Sequence, residues 1–427
     1  MKSYQEMSRE ELLEEHERVI GQYEKFKEMG LKLDMSRGKP SSEQLDLSLG
    51  MLDVLTSESN VINQDGFDCR NYGVLDGIIE AKKLIASMVD VSVDNVIVYG
   101  NSSLNIMYDT ISRSMTHGVM GSTPWCKLDT VKFICPVPGY DRHFGITEHF
   151  GIEMIQVPMS QTGPDMDIIE NLVKNDDSIK GIWCVPKYSN PQGYSYSDET
   201  VVRFAHLEPA AKDFRIFWDN AYAIHHLYED KQDSILNILE ECKKANHPDM
   251  VYEFCSTSKI TFSGGGIAGL ITSENNITDI KKQMGIQTIG YNKINQLCHA
   301  RFFKEQCDLK NHMLKHASIL RPKFETVLNI LENQLSNLHI GDWNCPRGGY
   351  FIAFDSLNGC AKRIVSLAKE AGVVMTPAGA TFPYGIDPQD KTIRIAPSLP
   401  KIKDLEIATE LFVVCVKLAS LEQLLQK

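Results

Sequence analysis

The chain has 427 residues, 43% of them hydrophobic and 23% charged, with a formal net charge of −12. That length can bury a substantial core without disulfides or metal staples, and it suggests two to three domains or one large domain with a smaller partner. The composition excludes a disordered chain, a fibrous protein and a small disulfide scaffold. The acidic balance argues against a nucleic-acid surface, whose affinity rests on neutralising phosphate.

In chain order, residues 8–29 predict an amphipathic helix, with Leu12, Leu13, Val19 and Ile20 among glutamates and Gly30 as a stop. The opening run MKSYQEMSREELLEEHERV is charged throughout and does not read as a secretory signal, so the expectation is a cytoplasmic protein. A turn-rich stretch, LDMSRGKPSSEQLDLS, follows. Short apolar runs then appear at 96–100 (VIVYG), 131–137 (VKFICPV), 153–159 (EMIQVPM), 181–187 (GIWCVPK), 215–220 (RIFWDN), 251–258 (VYEFCSTS) and 266–273 (GIAGLITS). Most are separated by polar or helix-periodic segments, the pattern of an α/β sheet buried on both faces.

After about residue 290 the pattern changes. A helical stretch over 292–335 leads to GGYFIAFD at 348–355, a helix over 358–371, a short VVMTP run and a helix from 401. This predicts a smaller α+β domain. The expected division is an N-terminal arm (1–50) joining the small domain, a large domain (51–310) and a small C-terminal domain (311–427). No apolar run approaches the ~20 residues of a membrane span.

Several motifs dissolve on inspection. The 11 cysteines are scattered with no C-x-x-C, and Cys135, Cys184 and Cys255 sit in apolar runs, where a thiol is a small hydrophobe. His312 and His316 share a helix face, but Met313 follows His312, so the zinc-protease H-E-x-x-H pattern fails. His225-His226 has no acidic or cysteine cluster beside it, and no metal site is expected. GGGIAG at 264–269 fits G-x-G-x-x-G, yet it leads into an apolar strand-like run rather than a helix and reads as a turn. SRGKPSS is no phosphate loop, because Leu33 stands at the first glycine position and Pro40 at the Ser/Thr position.

Functional groups in an open α/β sheet collect at the carboxyl ends of its strands. Here GNSS (100–103), VPGY (137–140), SNPQG (189–193), DNAY (219–222) and STSK (256–259) each end or follow a predicted strand. Five such endings on one sheet edge make a site. A lysine held in a pocket, as Lys259 would be, can lose its proton and form a Schiff base with a carbonyl compound. That chemistry needs an electron sink such as pyridoxal phosphate, which in turn needs an acid for its ring nitrogen, a phosphate cradle and an aromatic cover. Asp219 could serve the nitrogen. Ser102 and Ser103, before a helix expected near Leu104, suit an anion at a helix N-terminus.

The chain resembles the fold-type-I pyridoxal-phosphate aminotransferases over roughly residues 30–420. The resemblance rests on Y-G-x-L-x-G at Tyr72–Gly77, Asn190-Pro191-x-Gly193, Asp219-x-x-Tyr222, Ser256-x-x-Lys259 and Arg394-Ile395-Ala396. More narrowly, SRGKP, GNSS, PVPGYDRHF, WDNAYAIHH, SKITF and TPAGATFPYG are similar to a bacterial subgroup of aspartate aminotransferases. The resemblance implies a large domain around a mostly parallel seven-stranded sheet plus a smaller α+β domain.

It also implies roles. Lys259 would bind the cofactor covalently and then move a proton at the substrate α-carbon. Asp219 would pair with the ring nitrogen, Asn190 and Tyr222 with the ring's phenolic oxygen, and Tyr140 would stack on the ring. Ser102, Ser103 and Ser256 would bind phosphate, joined by Tyr72 from the neighbouring subunit of a homodimer. Arg394 would clamp the substrate α-carboxylate, Asn190 would border it, and Gly38 would close over it. The substrates would be an amino acid and a 2-oxo acid, with L-aspartate and 2-oxoglutarate giving oxaloacetate and L-glutamate.

One departure stands out. The family places an arginine about eight residues after the lysine to neutralise the phosphate, and here Ile267 occupies that place. Lys39, Arg37 and Arg142 are the candidate replacements. Arg37 is also the candidate for the substrate side-chain carboxylate. Among rival readings, S-x-x-K at Ser256–Lys259 suggests serine acyl transfer, but the S-D-N and K-T-G partners are missing. The same scaffold could also serve a different amino-acid specificity, a lyase reaction or a non-enzymatic aminotransferase-like regulator. The regulator lacks room for a DNA-binding domain, with only about 30 residues before the catalytic pattern.

Overall fold

The structure is a computed structural model and describes residues 2–426. Its strands in chain order are β1 (Leu33–Asp34), β2 (Val96–Val98), β3 (Lys132–Val137), β4 (Glu153–Ser160), β5 (Gly163–Pro164), β6 (Ile179–Cys184), β7 (Arg215–Asp219), β8 (Val251–Ser256), β9 (Ala268–Ile271), β10 (Gly341–Trp343), β11 (Ile352–Ser356), β12 (Val373–Val374) and β13 (Thr392–Ile395). The large sheet has the order β2-β9-β8-β7-β6-β3-β4-β5. Neighbours from β8 through β4 run parallel, and β9 is antiparallel to both β2 and β8. The carboxyl ends of β2, β3, β6, β7 and β8 therefore share one edge.

The sequence predicts seven strands, and the sheet has one more. Residues Gly163–Pro164 fold back antiparallel on the end of β4. A two-residue arm containing proline has no alternation to read. Every residue of β2, β6, β7, β8 and β9 is buried, because helices cover both faces. Alternate residues serve opposite faces: Val98, Ile216 and Trp218 pack on one side, Ile97 and Phe217 on the other.

A second core joins the two ends of the chain. The helix Arg9–Glu28 starts with a capping box, in which Ser8 Oγ accepts from Glu11 N at 3.2 Å. It buries Leu12, Val19 and Tyr23, while Leu13 and Ile20 of the predicted stripe face solvent, since Tyr23 extends the face that Leu12 and Val19 begin. That face meets Phe412, Val416 and their neighbours in the helix Ile402–Gln426, with the antiparallel sheet β10-β11-β13. β1 pairs in parallel with β12, stitching residues 33–34 to 373–374.

The predicted helical stretch 292–335 is two helices, Lys293–Phe302 and Gln306–Leu335, broken where Phe303 leaves helical geometry. The second of them carries Leu309 and Met313 into the large-sheet core and Leu320, Phe324 and Val327 into the second core, running unbroken past residue 310. Among the described residues no helix is long and apolar enough to cross a membrane.

Candidate active site

A cavity of about 570 Å³ opens at the carboxyl edge of the large sheet. Ser102, Ser103, Tyr140, Asn190, Asp219, Tyr222 and Lys259 line it from the sheet side, and Arg37, Gly38 and Arg394 from the second core. Two predicted residues lie outside it. Ser256 stands behind the lining, its Oγ 2.7 Å from the Oγ of Ser258, which does face the cavity. Tyr72 is 79% exposed on the surface of this chain.

Asp219 ends β7 and is buried. His143 Nε2 donates to its Oδ2 at 2.9 Å. The His143 ring stacks on Trp183 at 4.4 Å, and the Trp183 indole N–H is tied to Thr147 Oγ1 at 2.8 Å. Asp219 Oδ1 is buried with no hydrogen-bond partner among the described residues. A bare buried acceptor costs about 1–3 kcal/mol, so this oxygen is built for a donor that the chain does not supply. A protonated heterocyclic nitrogen fits that requirement.

Lys259 Nζ lies 5.0 Å from the centroid of the Tyr222 ring and 6.0 Å from that of Tyr350. Burial pushes its pKa below the ordinary lysine value, and the charge of Asp219 opposes the shift only in part. The amine is thereby readied as a nucleophile. Ser256 Oγ pairs with Ser258 rather than with Lys259, so the pairing that serine acyl transfer requires is absent here.

The segment after Lys259 is clamped from below. His312 Nε2 and His316 Nε2 lie 2.8 and 2.9 Å from the Ile260 carbonyl oxygen. Gln44 Nε2 donates to His316 Nδ1 at 3.1 Å, and lies 2.9 Å from the Tyr350 hydroxyl. Burial, with His312 alongside, lowers the His316 pKa to about 4, which fits a neutral ring with Nε2–H as donor and Nδ1 as acceptor. This histidine pair is therefore occupied in holding backbone. His226 Nδ1 meets Tyr188 Oη at 2.6 Å, and His225 is buried with neither ring nitrogen partnered among the described residues.

At the other end, Ser102 is the N-cap residue of the helix Ser103–His117, whose free amides and hydroxyls suit an anion. Ile267 is buried, and its N–H donates to Thr257 Oγ1 at 3.0 Å, so no cation stands there. Of the candidate replacements, Arg37 and Arg142 line the cavity and Lys39 does not. Tyr140 caps the helix Asp141–His149 and sets its ring edge-on to His143 at 4.9 Å. Burial raises the Tyr222 hydroxyl well above its ordinary pKa, keeping it a donor.

Arg394 lies on β13 opposite Ala353. Its Nη1 donates to Asp141 Oδ1 at 2.8 Å and to Asn190 Oδ1 at 3.2 Å, and its Nε is 3.4 Å from Thr376 Oγ1. The guanidinium covers Phe351 at 4.7 Å. Thr376 also donates to the Ser36 carbonyl at 2.7 Å, which ties the Ser36–Gly38 loop to the same wall. A Cβ on Gly38 would fall 2.5 Å from the Phe351 ring, so only glycine fits this approach.

Sequence reasoning missed Asp141, His143, Ser258, Thr376 and Phe351. The run PVPGYDRHF holds the first two, and a helix starting after Tyr140 would have placed them in its first turn. Their partners are distant in sequence, and no local signal names them.

A family model described as aspartate amino-transferase matches residues 7–427. An aspartate aminotransferase from Corynebacterium glutamicum is 46% identical over 408 residues, covering 95% of this chain and 94% of that protein. The crystal structure of an aspartate transaminase from the same species superposes with a TM-score of 0.96 at 45% identity, covering 99% of both chains. LysN, an alpha-aminoadipate aminotransferase from Thermus thermophilus, shares the fold at 16% identity with a TM-score of 0.74, covering 95% of both chains. Matched from residue 7 to its last residue, with a lysine and a bare carboxylate oxygen facing one cavity at the sheet edge, the chain belongs to the aspartate aminotransferase family and is an aminotransferase.

Proposed function

We propose that the protein is a pyridoxal-5′-phosphate-dependent aspartate transaminase. It would exchange the amino group between L-aspartate and 2-oxoglutarate, giving oxaloacetate and L-glutamate by a ping-pong route. The observation that carries the cofactor reading is Asp219 Oδ1, a buried acceptor without a donor in the cavity that holds Lys259. Bound pyridoxal phosphate supplies the electron sink that stabilises negative charge at the substrate α-carbon. LysN, which shares the fold, was solved with N-(5′-phosphopyridoxyl)-L-leucine.

In this reading Lys259 Nζ would anchor the cofactor and then move the α-proton, since burial lowers the pKa of the amine and so eases loss of its proton. Asp219 keeps the ring nitrogen protonated, with His143 orienting the carboxylate from behind. Tyr222 and Asn190 hydrogen-bond the phenolic oxygen, and Tyr140 covers the ring. Ser102 and Ser103 receive the phosphate, with Ser256 acting through Ser258. Arg394 binds the α-carboxylate, Gly38 closes over the substrate, and Arg37, whose guanidinium makes no hydrogen bond or salt bridge among the described residues, serves the side-chain carboxylate.

The same reading makes the protein a homodimer with a shared site. Tyr72 is exposed, as are Leu52, Ile286 and Ile289, and Gly290 packs against the Gly73 carbonyl beside Tyr72. A second copy covering this patch would bring Tyr72 to the partner's phosphate. Aspartate specificity is supported by the similarity to the Corynebacterium enzyme and by the free Arg37. A panel of amino donors, each mixed once with the cofactor-loaded enzyme while its visible absorbance is followed, tests the assignment. L-Aspartate and L-glutamate should react fastest. An uncharged or aromatic donor in first place would overturn the specificity, and no reaction with any donor would favour a regulator.

A further inference from the structure

Four cations line the cavity among the described residues: Arg37, Arg142, Lys259 and Arg394. Only Arg394 is already paired with a carboxylate, that of Asp141. We propose that Asp141 is a specificity-determining residue, an internal carboxylate that holds Arg394 Nη1 and must yield it, or share it, when a substrate carboxylate binds. This rests on Arg394 being the carboxylate clamp.

The geometry assigns the moving part. The Arg394 side chain is 6% exposed, seated on Phe351 and held by Asn190 and Thr376, whereas that of Asp141 is 33% exposed at the cavity surface. The arginine is fixed and the carboxylate can turn away. Arg394 Nη2 makes no hydrogen bond among the described residues, so one arm of the guanidinium fork is open and the other is taken. Two-point binding of a carboxylate across both terminal nitrogens needs both arms. An incoming carboxylate must therefore displace Asp141 from Nη1, or bind side-on with a second negative charge beside it. Both routes weaken its binding.

Asp141 cannot go far. It is the first residue of the helix Asp141–His149, where the free amides of the first turn favour a negative charge. The same turn carries His143 on Asp219, so one short element touches both ends of the site. An amino acid brings an ammonium group that offsets the Asp141 charge, and a 2-oxo acid brings none. Asp141 should therefore penalise oxo acids and unreactive dicarboxylates more than amino donors, which favours release of the oxo-acid product. If Asp141 instead orients Arg394, as Asn190 does, its removal would weaken every carboxylate ligand.

The experiment is the cofactor-loaded Asp141→Asn enzyme, which keeps an acceptor oxygen for Nη1 and removes the charge. Binding of maleate, an unreactive dicarboxylate, is measured by calorimetry, alongside KM for 2-oxoglutarate and L-aspartate. The maleate Kd should fall about tenfold, the oxo-acid KM should fall similarly, and the L-aspartate KM should fall less. Unchanged or weaker maleate binding overturns the proposal. If Asp141→Asn does not fold, Asp141→Ser, which keeps a residue suited to a helix start, is read by the same criteria. Arg394→Gln is the control for the underlying reading. Unaltered maleate binding in Arg394→Gln would remove Arg394 as the clamp, whereas loss there with no gain in Asp141→Asn would sink only the role of Asp141.

Discussion

The two walls of the cavity are built by different means. The sheet-side wall comes from residues 102–259, each at or just after the end of a strand, so the sheet ladder itself sets their spacing. The opposite wall gathers residues 36–38, 351, 376 and 394 from segments that meet only in the second core. Polar contacts that join the two walls include Arg394 with Asp141 and Asn190, Tyr350 Oη donating to the Lys259 carbonyl at 3.4 Å, Gly349 N to His225 O at 2.9 Å and Gly139 N to Thr381 O at 2.8 Å. The first wall is as rigid as its sheet, whereas the second depends on how one core seats on the other. Damage to the first should appear in the chemistry, and damage to the second in substrate affinity.

Lys259→Ala is the strongest test of the first wall. It should abolish the visible to near-ultraviolet absorbance of the lysine-bound cofactor and lower kcat at least about 10³-fold. Retained turnover would sink the assignment. Asp219→Asn comes next: it offers the ring nitrogen an uncharged partner and should cost about 10²-fold in kcat with KM little changed. A rise in KM alone would move Asp219 out of the chemistry.

Gly38→Ala probes the second wall. The added methyl must push Phe351 from beneath Arg394, so KM for both substrates should rise about tenfold while kcat changes less. A collapse of kcat with unchanged KM would erase the distinction between the walls.

The smallest effect concerns stability. Glu253 on β8 is buried, accepts from Asn220 Nδ2 at 2.8 Å, and is pushed by burial up to about 7 from an ordinary 4.5. A carboxyl whose pKa is raised in the folded state penalises folding once it must ionise. The penalty is absent below about pH 4.5, grows as pH rises toward 7 and is complete above it. Relative to Glu253→Gln, the native protein should lose about 1–3 kcal/mol between pH 4 and pH 8, read from denaturant melts, with KM unaltered. Parallel pH profiles for the two proteins would show that Glu253 does not titrate in this range.

Much of the first wall was legible because its signals are local. A strand followed at once by SNPQG, DNAY or STSK places those groups at the sheet edge, since parallel strands share a carboxyl side. The strand-forming runs and the N-terminal helix were equally readable. The second wall was less so. Gly38 could be named only by resemblance, and its need for glycine lies in Phe351, more than 300 residues on. The buried face of the helix Arg9–Glu28 was half misread, because Tyr23 and not Leu13 completes it.

The sequence by itself determined the α/β architecture, the order of the chemistry-bearing strand ends and the identity of the lysine and carboxylate that face each other. These follow from periodicity and from residues adjacent along the chain. Only the tertiary structure decided that His143 backs Asp219, that the pair His312 and His316 holds the backbone beside Lys259, and that Asp141 already occupies Arg394. Those pairings join segments tens to hundreds of residues apart. Hydrogen bonds and ion pairs act over a few ångströms, so the choice among many possible partners is made by packing, which a linear pattern does not record.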